Sequence, residues 1–136
     1  MRQTLFTFIL SIKRKCAANE MRIQDELHLT HAEFNGLLVM TDGESFPSGT
    51  FSSRMGLSPS RGSRVLSRLR QRGWIVMDID RKDRRCVTVR LSRSGRALQK
   101  KIESRMQECE DRMTSHLDMP SLASIRRSLE ILETVM

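Results

Sequence analysis

Ser58-Pro59 opens, and Gly73 closes, a stretch whose two sides differ more sharply than those of any other in the chain. A serine N-cap followed by a first-turn proline is a strong helix start, because the hydroxyl accepts a free amide and proline has none to leave unsatisfied. From Pro59 to Arg72 the helical period places Gly62, Val65, Leu66 and Leu69 along one side. Ser60, Arg64, Ser67, Arg68 and Gln71 fall on the other, with Arg61 at the margin. Just upstream, Thr50 to Met55 fits a short helix, Gly56 the left-handed residue that closes it, and Leu57 a buried spacer. Two helices joined by about three residues, the second amphipathic with Ser and Arg outward, make a helix-turn-helix. An inward Gly62 lets the pair cross closely.

After Gly73 the period changes from helical to alternating. Ile75, Met77 and Ile79 point one way from a first strand, Trp74 to Ile79, and Val87, Val89 and Leu91 one way from a second, Cys86 to Leu91. Between them lies Asp80-Arg81-Lys82-Asp83-Arg84-Arg85, so the pair reads as a β-hairpin with a charged tip, a wing. Upstream, Leu5, Ile9, Ile12 and Cys16 recur at helical spacing, giving an apolar-faced first helix. Thr30 and Glu33 then match a capping box for a second helix carrying Phe34, Leu37, Leu38 and Met40 and ending near Gly43. Phe46 to Gly49 reads as a break. Downstream, Ser92 caps a helix with a stripe of Leu98, Ile102, Met106, Cys109 and Met113. Pro120 starts another, with a narrow seam of Leu122, Ile125, Leu129, Leu132 and Met136. The expected fold is mainly α with one small hairpin, and 136 residues suffice for one compact domain. Its parts are an N-terminal helix in residues 1–29, the head in 30–95 and C-terminal helices in 96–136.

Charge separates these parts. Between Arg54 and Lys101 there are 15 Lys or Arg against Asp78, Asp80 and Asp83, a net +12, while the rest of the chain sums to −4. A local field of that size favours a polyanion, of which duplex DNA is the densest. A membrane surface would call for one amphipathic helix with a basic face, whereas these charges cross helix, hairpin and helix. Leu5 to Leu10 is too short for a signal-peptide core, and Lys13, Arg14 and Lys15 stand where a cleavage region should be neutral. No stretch approaches transmembrane length. A cytoplasmic protein with three reduced thiols, Cys16, Cys86 and Cys109, is the expectation.

A helix entering the major groove needs short or forked donors on its outer face. Ser60, Arg61, Arg64, Ser67 and Arg68 supply them, and Arg64 and Arg68, one turn apart, each offer a fork to guanine. Ser58, Ser60 and the helix N-terminus suit phosphate. Arg81, Lys82, Arg84 and Arg85 can follow the phosphate ridge or enter a narrow minor groove. Asp83 is a poor DNA contact and a better holder of a neighbouring arginine.

Leu57-Ser58, the helix through Leu69, Gly73-Trp74-Ile75, Asp83-Arg84-Arg85 and Leu91-Ser92-x-x-Gly95 together resemble the MarR type of transcriptional regulator. The resemblance is clearest from about Thr30 to Gly95. It implies a homodimer joined through its first and last helices, with one head on each half-site of a near-palindromic operator. It implies that Asp83 positions Arg85 and that Arg85 enters the minor groove. It implies repression, with release by a small aromatic or phenolic ligand or by thiol oxidation.

Two other readings stay open on the residues alone. One is a winged-helix module that binds protein partners and uses its charge only for loose docking. The other is a thiol sensor, for which Cys16 and Cys86 are the candidate redox positions; Cys16 lies on the apolar stripe as a small core residue, and Cys86 is the more accessible. His28, His31 and His116 have no paired ligand spacing, so no metal or cofactor is expected. No phosphate loop or nucleophile elbow suggests an enzyme.

Overall fold

The computed structural model describes residues 2–136; the first residue of the expected N-terminal segment lies outside them. It contains six helices and a small sheet: α1 Leu5–Glu26, α2 His31–Leu38, β1 Phe46–Pro47, α3 Ser48–Met55, α4 Pro59–Gln71, β2 Ile75–Ile79, β3 Val87–Leu91, α5 Arg93–Thr114 and α6 Met119–Val135. The chain forms two compact units, the first ending at Ile102 and the second comprising Glu103–Met136, with α5 running from one into the other.

The helix starts are set by side chains that take the free amides. Thr4 and Thr7 form a capping box on α1, and Thr30 and Glu33 form another on α2. Ser58 Oγ accepts from the Arg61 amide at the head of α4, and Asp118 Oδ1 accepts from the Ser121 amide at the head of α6. Gly56, at φ 66°, turns the chain left-handed after α3, a conformation that a β-carbon would penalise.

The core of the first unit lies where α2, α3 and α4 meet the sheet. Phe34, Leu37, Phe51, Leu66, Leu69, Val89 and Ile102 are almost wholly buried there. The inward side of α4 is as the period requires, with Gly62, Val65, Leu66 and Leu69 buried. A β-carbon on Gly62 would overlap the Ser52 hydroxyl, so the close α3–α4 crossing depends on that residue.

The boundaries differ from expectation in several places, each with a cause. α2 ends at Leu38 rather than near Gly43. Its carbonyls are taken instead by Gln99 of α5, whose Nε2 donates to Leu37 O at 2.8 Å and Met40 O at 2.7 Å. Met40 is buried beyond the helix end, while Leu38 faces outward. The expected break at Phe46 is a short strand: Phe46 and Pro47 pair antiparallel with Val89 and Thr88, so the sheet has three strands in the order β1-β3-β2. Proline is tolerated there because β1 is an edge. α3 consequently starts at Ser48, two residues earlier than Thr50. Leu57 is only half-buried.

The β2–β3 register pairs Ile75 with Leu91, Met77 with Val89 and Ile79 with Val87. Burial fades along it, from Ile75 and Leu91 in the core to Ile79, which is 59% exposed because the hairpin runs out past the head. The α5 N-terminus docks on the turn before β2. Ser92 Oγ and Ser94 Oγ donate to Gly73 O at 2.6 and 2.7 Å, and the Ser92 amide donates to Trp74 O at 3.0 Å. A β-carbon on Gly95 would overlap that same Trp74 carbonyl. The Leu-Ser-x-x-Gly pattern is thus the imprint of one backbone crossing.

In the second unit no residue of α6 is buried. Met113, Leu117, Leu122, Ile125 and Leu129 line an open groove of about 360 Å³, bordered by Glu110, Glu130, Glu133 and Arg126. On α1, Leu5, Phe6, Phe8 and Ile12 are exposed as well. Among the described residues no helix is long and apolar enough to cross a membrane.

Candidate nucleic-acid interface

Ser58, Ser60, Arg61, Arg64, Ser67 and Arg68 are all exposed on α4, and Ser58 Oγ and Ser60 Oγ lie 3.3 Å apart at its first turn. Among the described residues no carboxylate pairs with the side chains of Arg61, Arg64 or Arg68, so the three guanidinium groups keep their donors for an external partner. The four first amides of a helix and its dipole add a further preference for anions at the Ser58 end.

Other cations of the basic segment are used inside the protein. Arg54 pairs with Glu44 at 2.9 Å, donates to Val39 O at 3.2 Å and lies over the Phe46 ring at 4.3 Å. That bond holds the Glu44 carboxyl below its ordinary pKa. Arg72 faces Glu33 at 3.8 Å, donates to His28 O at 3.3 Å and lies over Trp74 at 4.3 Å. Arg90 pairs with Asp78 across the hairpin at 3.5 Å, and Arg96 with Asp42 at 3.9 Å. Three of these carboxylates, Glu33, Asp42 and Glu44, come from outside the segment and bring its +12 down to +9. Sequence counting could not separate structural arginines from available ones. The signal it lacked was a carboxylate distant in the chain and an aromatic two residues after Arg72 or eight before Arg54.

The wing tip is built by its aspartates. Asp80 Oδ1 accepts from the Lys82 amide at 2.8 Å, and Asp83 Oδ1 accepts from the Arg85 amide at 3.0 Å. Such Asx turns replace backbone bonds where the chain must reverse. Backbone bonds from Asp80 N to Cys86 O and from Cys86 N to Asp83 O close the loop. Arg81, Lys82, Asp83, Arg84 and Arg85 are all exposed. Asp83 therefore grips Arg85 by its backbone, and the Arg85 guanidinium is left to project.

The cysteines are placed differently from expectation at one point. Cys16 is exposed rather than a small core residue, because the α1 face that carries it has no covering element within the first unit. Cys109 is half-buried and Cys86 exposed. The Cys86 thiol donates to Asp83 Oδ2 at 3.7 Å, a carboxylate neighbour where reactive cysteines have cationic ones. Among the described residues no three His, Cys, Asp or Glu side chains converge on a metal-sized site.

With this geometry in view, the solved structures that share it are informative. MarR from E. coli in its apo form superposes with a TM-score of 0.79 over 97% of this chain and 98% of its own, at 20% identity. A mutant of MepR from S. aureus gives a TM-score of 0.83 over 98% and 100%, at 16% identity. A MarR-family transcriptional regulator from Silicibacter pomeroyi gives 0.70 over 92% and 84%, at 22% identity. The chain has the MarR-type winged-helix fold. No protein-family model and no curated relative matches it. The likeness is therefore one of three-dimensional form, with α4 following α3 in a helix-turn-helix and residues 80–85 at the tip of the β2–β3 hairpin.

Proposed function

We propose that the protein is a dimeric, sequence-specific DNA-binding transcriptional regulator of the MarR type. α4 lies in the major groove, where Arg64 and Arg68 read base edges and Ser58, Ser60, Arg61 and Ser67 hold phosphate or flanking edges. The wing tip enters the adjacent minor groove with Arg85, backed by Arg81, Lys82 and Arg84, while Asp83 keeps the loop in shape. The observation that carries this reading is the row of unpaired guanidinium groups on the outer side of α4, in the same unit as a projecting basic wing. Two proteins of the same fold, PA4135 and the one from Silicibacter pomeroyi, are transcriptional regulators. A regulator of this kind needs no catalytic centre, and it works in the cytoplasm.

The apolar residues exposed on α1 and α6 form the dimer interface, and a twofold dimer presents two heads to a near-palindromic operator. In its simplest form such a dimer is a repressor, because occupancy of the operator excludes other proteins. A small aromatic or phenolic ligand that favours a DNA-incompetent arrangement would release it.

Selection of bound sites from a random duplex library, followed by salt titration on the selected site, tests the reading. Expected are an inverted repeat and an affinity that falls steeply with salt. Arg64→Ala relaxes the preference at one position of each half-site by about 1–3 kcal/mol. A library that yields no enriched sequence overturns the proposal.

A further inference from the structure

Arg72 is the C-cap of the recognition helix, and its half-exposed side chain lies back along the protein surface. Its guanidinium touches three separate pieces of chain. It lies over the Trp74 indole at 4.3 Å, at the turn from α4 into β2. Its Nη2 donates at 3.3 Å to the carbonyl oxygen of His28, the left-handed residue (φ 55°) that reverses the chain between α1 and α2. Its Nε stands 3.8 Å from Glu33 Oε2 in the first turn of α2. Glu33 is 4% exposed, and that oxygen has no hydrogen bond among the described residues, so the arginine is the charge that compensates it. Removing the arginine leaves a buried carboxylate uncompensated, which is costly, whereas the half-exposed arginine without Glu33 would lose its anchor and turn to water.

The end of the reading helix is thus tied to the point where α1 joins the head. If α1 belongs to the dimer interface, as the proposed function has it, this joint sets how each head is held relative to the twofold axis. We propose that Arg72 is a positioning residue that fixes half-site spacing without touching DNA. Spacing is a sensitive readout. One added base pair moves a half-site by about 3.4 Å and rotates it by about 35° around the duplex. A stiff joint should reject that change, and a loose one should tolerate it.

The inference rests on the DNA-binding reading but can fail separately from it. The full chain, wild type and as Arg72→Ala, Arg72→Lys and Glu33→Gln, is titrated against a single selected half-site. The same proteins are then titrated against paired half-sites whose spacer is changed by one or two base pairs in each direction. Wild type should show one preferred spacing. Arg72→Ala should bind the single half-site within about twofold of wild type, with an unchanged salt slope, because no phosphate contact is lost. Its preference for the best spacing should fall by about tenfold. Arg72→Lys, which keeps charge but loses the planar fork, should fall part-way, and Glu33→Gln should flatten the profile in the same sense. A folded Arg72→Ala that keeps the wild-type spacing profile overturns the proposal. So does loss of half-site affinity with a shallower salt slope, which would make Arg72 a phosphate ligand. Should Arg72→Ala fail to fold, Arg72→Lys and Glu33→Gln decide by the same criteria. If wild type itself selects no sequence, it is the regulator reading that falls.

Discussion

Gly49 and Gly95 are both early helical residues, yet they should respond oppositely to an added methyl. A β-carbon on Gly49 meets open space. With an ordinary backbone there, Gly49→Ala removes unfolded-state freedom and should stabilise the protein by about 0.4–1 kcal/mol. On Gly95 the same carbon runs into the Trp74 carbonyl, which is backbone and cannot swing aside. Gly95→Ala should therefore cost about 1–3 kcal/mol, and part the α5 start from the wing base. Urea unfolding of the two variants checks the pair, and a neutral Gly95→Ala would refute the tight crossing. Asp83→Ala acts on a finer scale. It frees the Arg85 amide and should weaken operator binding without moving the melting temperature. Equal binding by Asp83→Ala would show that the Asx turn is not needed to present the wing.

At the scale of elements, helix ends and the sheet edge are where stability is concentrated in few bonds. Gln99 closes the C-terminus of α2 from a helix 60 residues away, through two short bonds made by one buried amide. Gln99→Met keeps the volume and removes both donors; Leu37 O retains the Met40 amide, whereas Met40 O loses its side-chain donor, at a cost of about 1–3 kcal/mol. Unfolding at the wild-type midpoint would show the amide to be dispensable. Near the β1 edge, the Arg54–Glu44 pair offers a pH test. Arg54 lowers the Glu44 pKa, so the stabilisation is complete above the unfolded value and is lost as pH falls through the folded one. The gap in melting temperature between wild type and Glu44→Gln should hold at neutral pH and close as pH falls below the ordinary carboxylate range; a gap that widens on acidification contradicts the pair. These same ends were the parts hardest to read from sequence. α4 was fully legible because Ser58, Pro59 and Gly73 bracket it and its burial period is unbroken. The end of α2 was not, since its cap comes from α5, and β1 was not, since two residues carry no period and its partner lies 40 residues on. Within the candidate interface, the exposed face of α4 followed from local spacing, whereas the engagement of Arg54 and Arg72 by partners in their own chain depended on long-range contacts.

Over the whole molecule, the weight of exposed apolar surface is the feature that a lone chain does not explain. Leu5, Phe8 and Ile12 share one side of α1 and are each more than half exposed, and on α6 Ile125 and Leu129, one turn apart, are 43% and 56% exposed on the side that lines the groove. Soluble monomers rarely leave apolar groups clustered in this way. Each fully buried side chain of this size would contribute about 1.5–3 kcal/mol to association, so a handful suffices for a stable twofold pair after the cost of ordering. The wild-type protein should therefore sediment as a dimer at micromolar concentration. Phe8→Asp combined with Leu129→Asp places a carboxylate in each apolar patch and should shift it to monomer while leaving the head folded. Such a monomer should retain affinity for a single half-site but lose the gain from pairing two, and its salt slope on the full operator should fall by about half, because only one head's phosphate contacts remain. A wild-type protein that sediments as monomer and still binds the full operator with the steep slope would separate DNA recognition from these helices and require another account of their exposed faces.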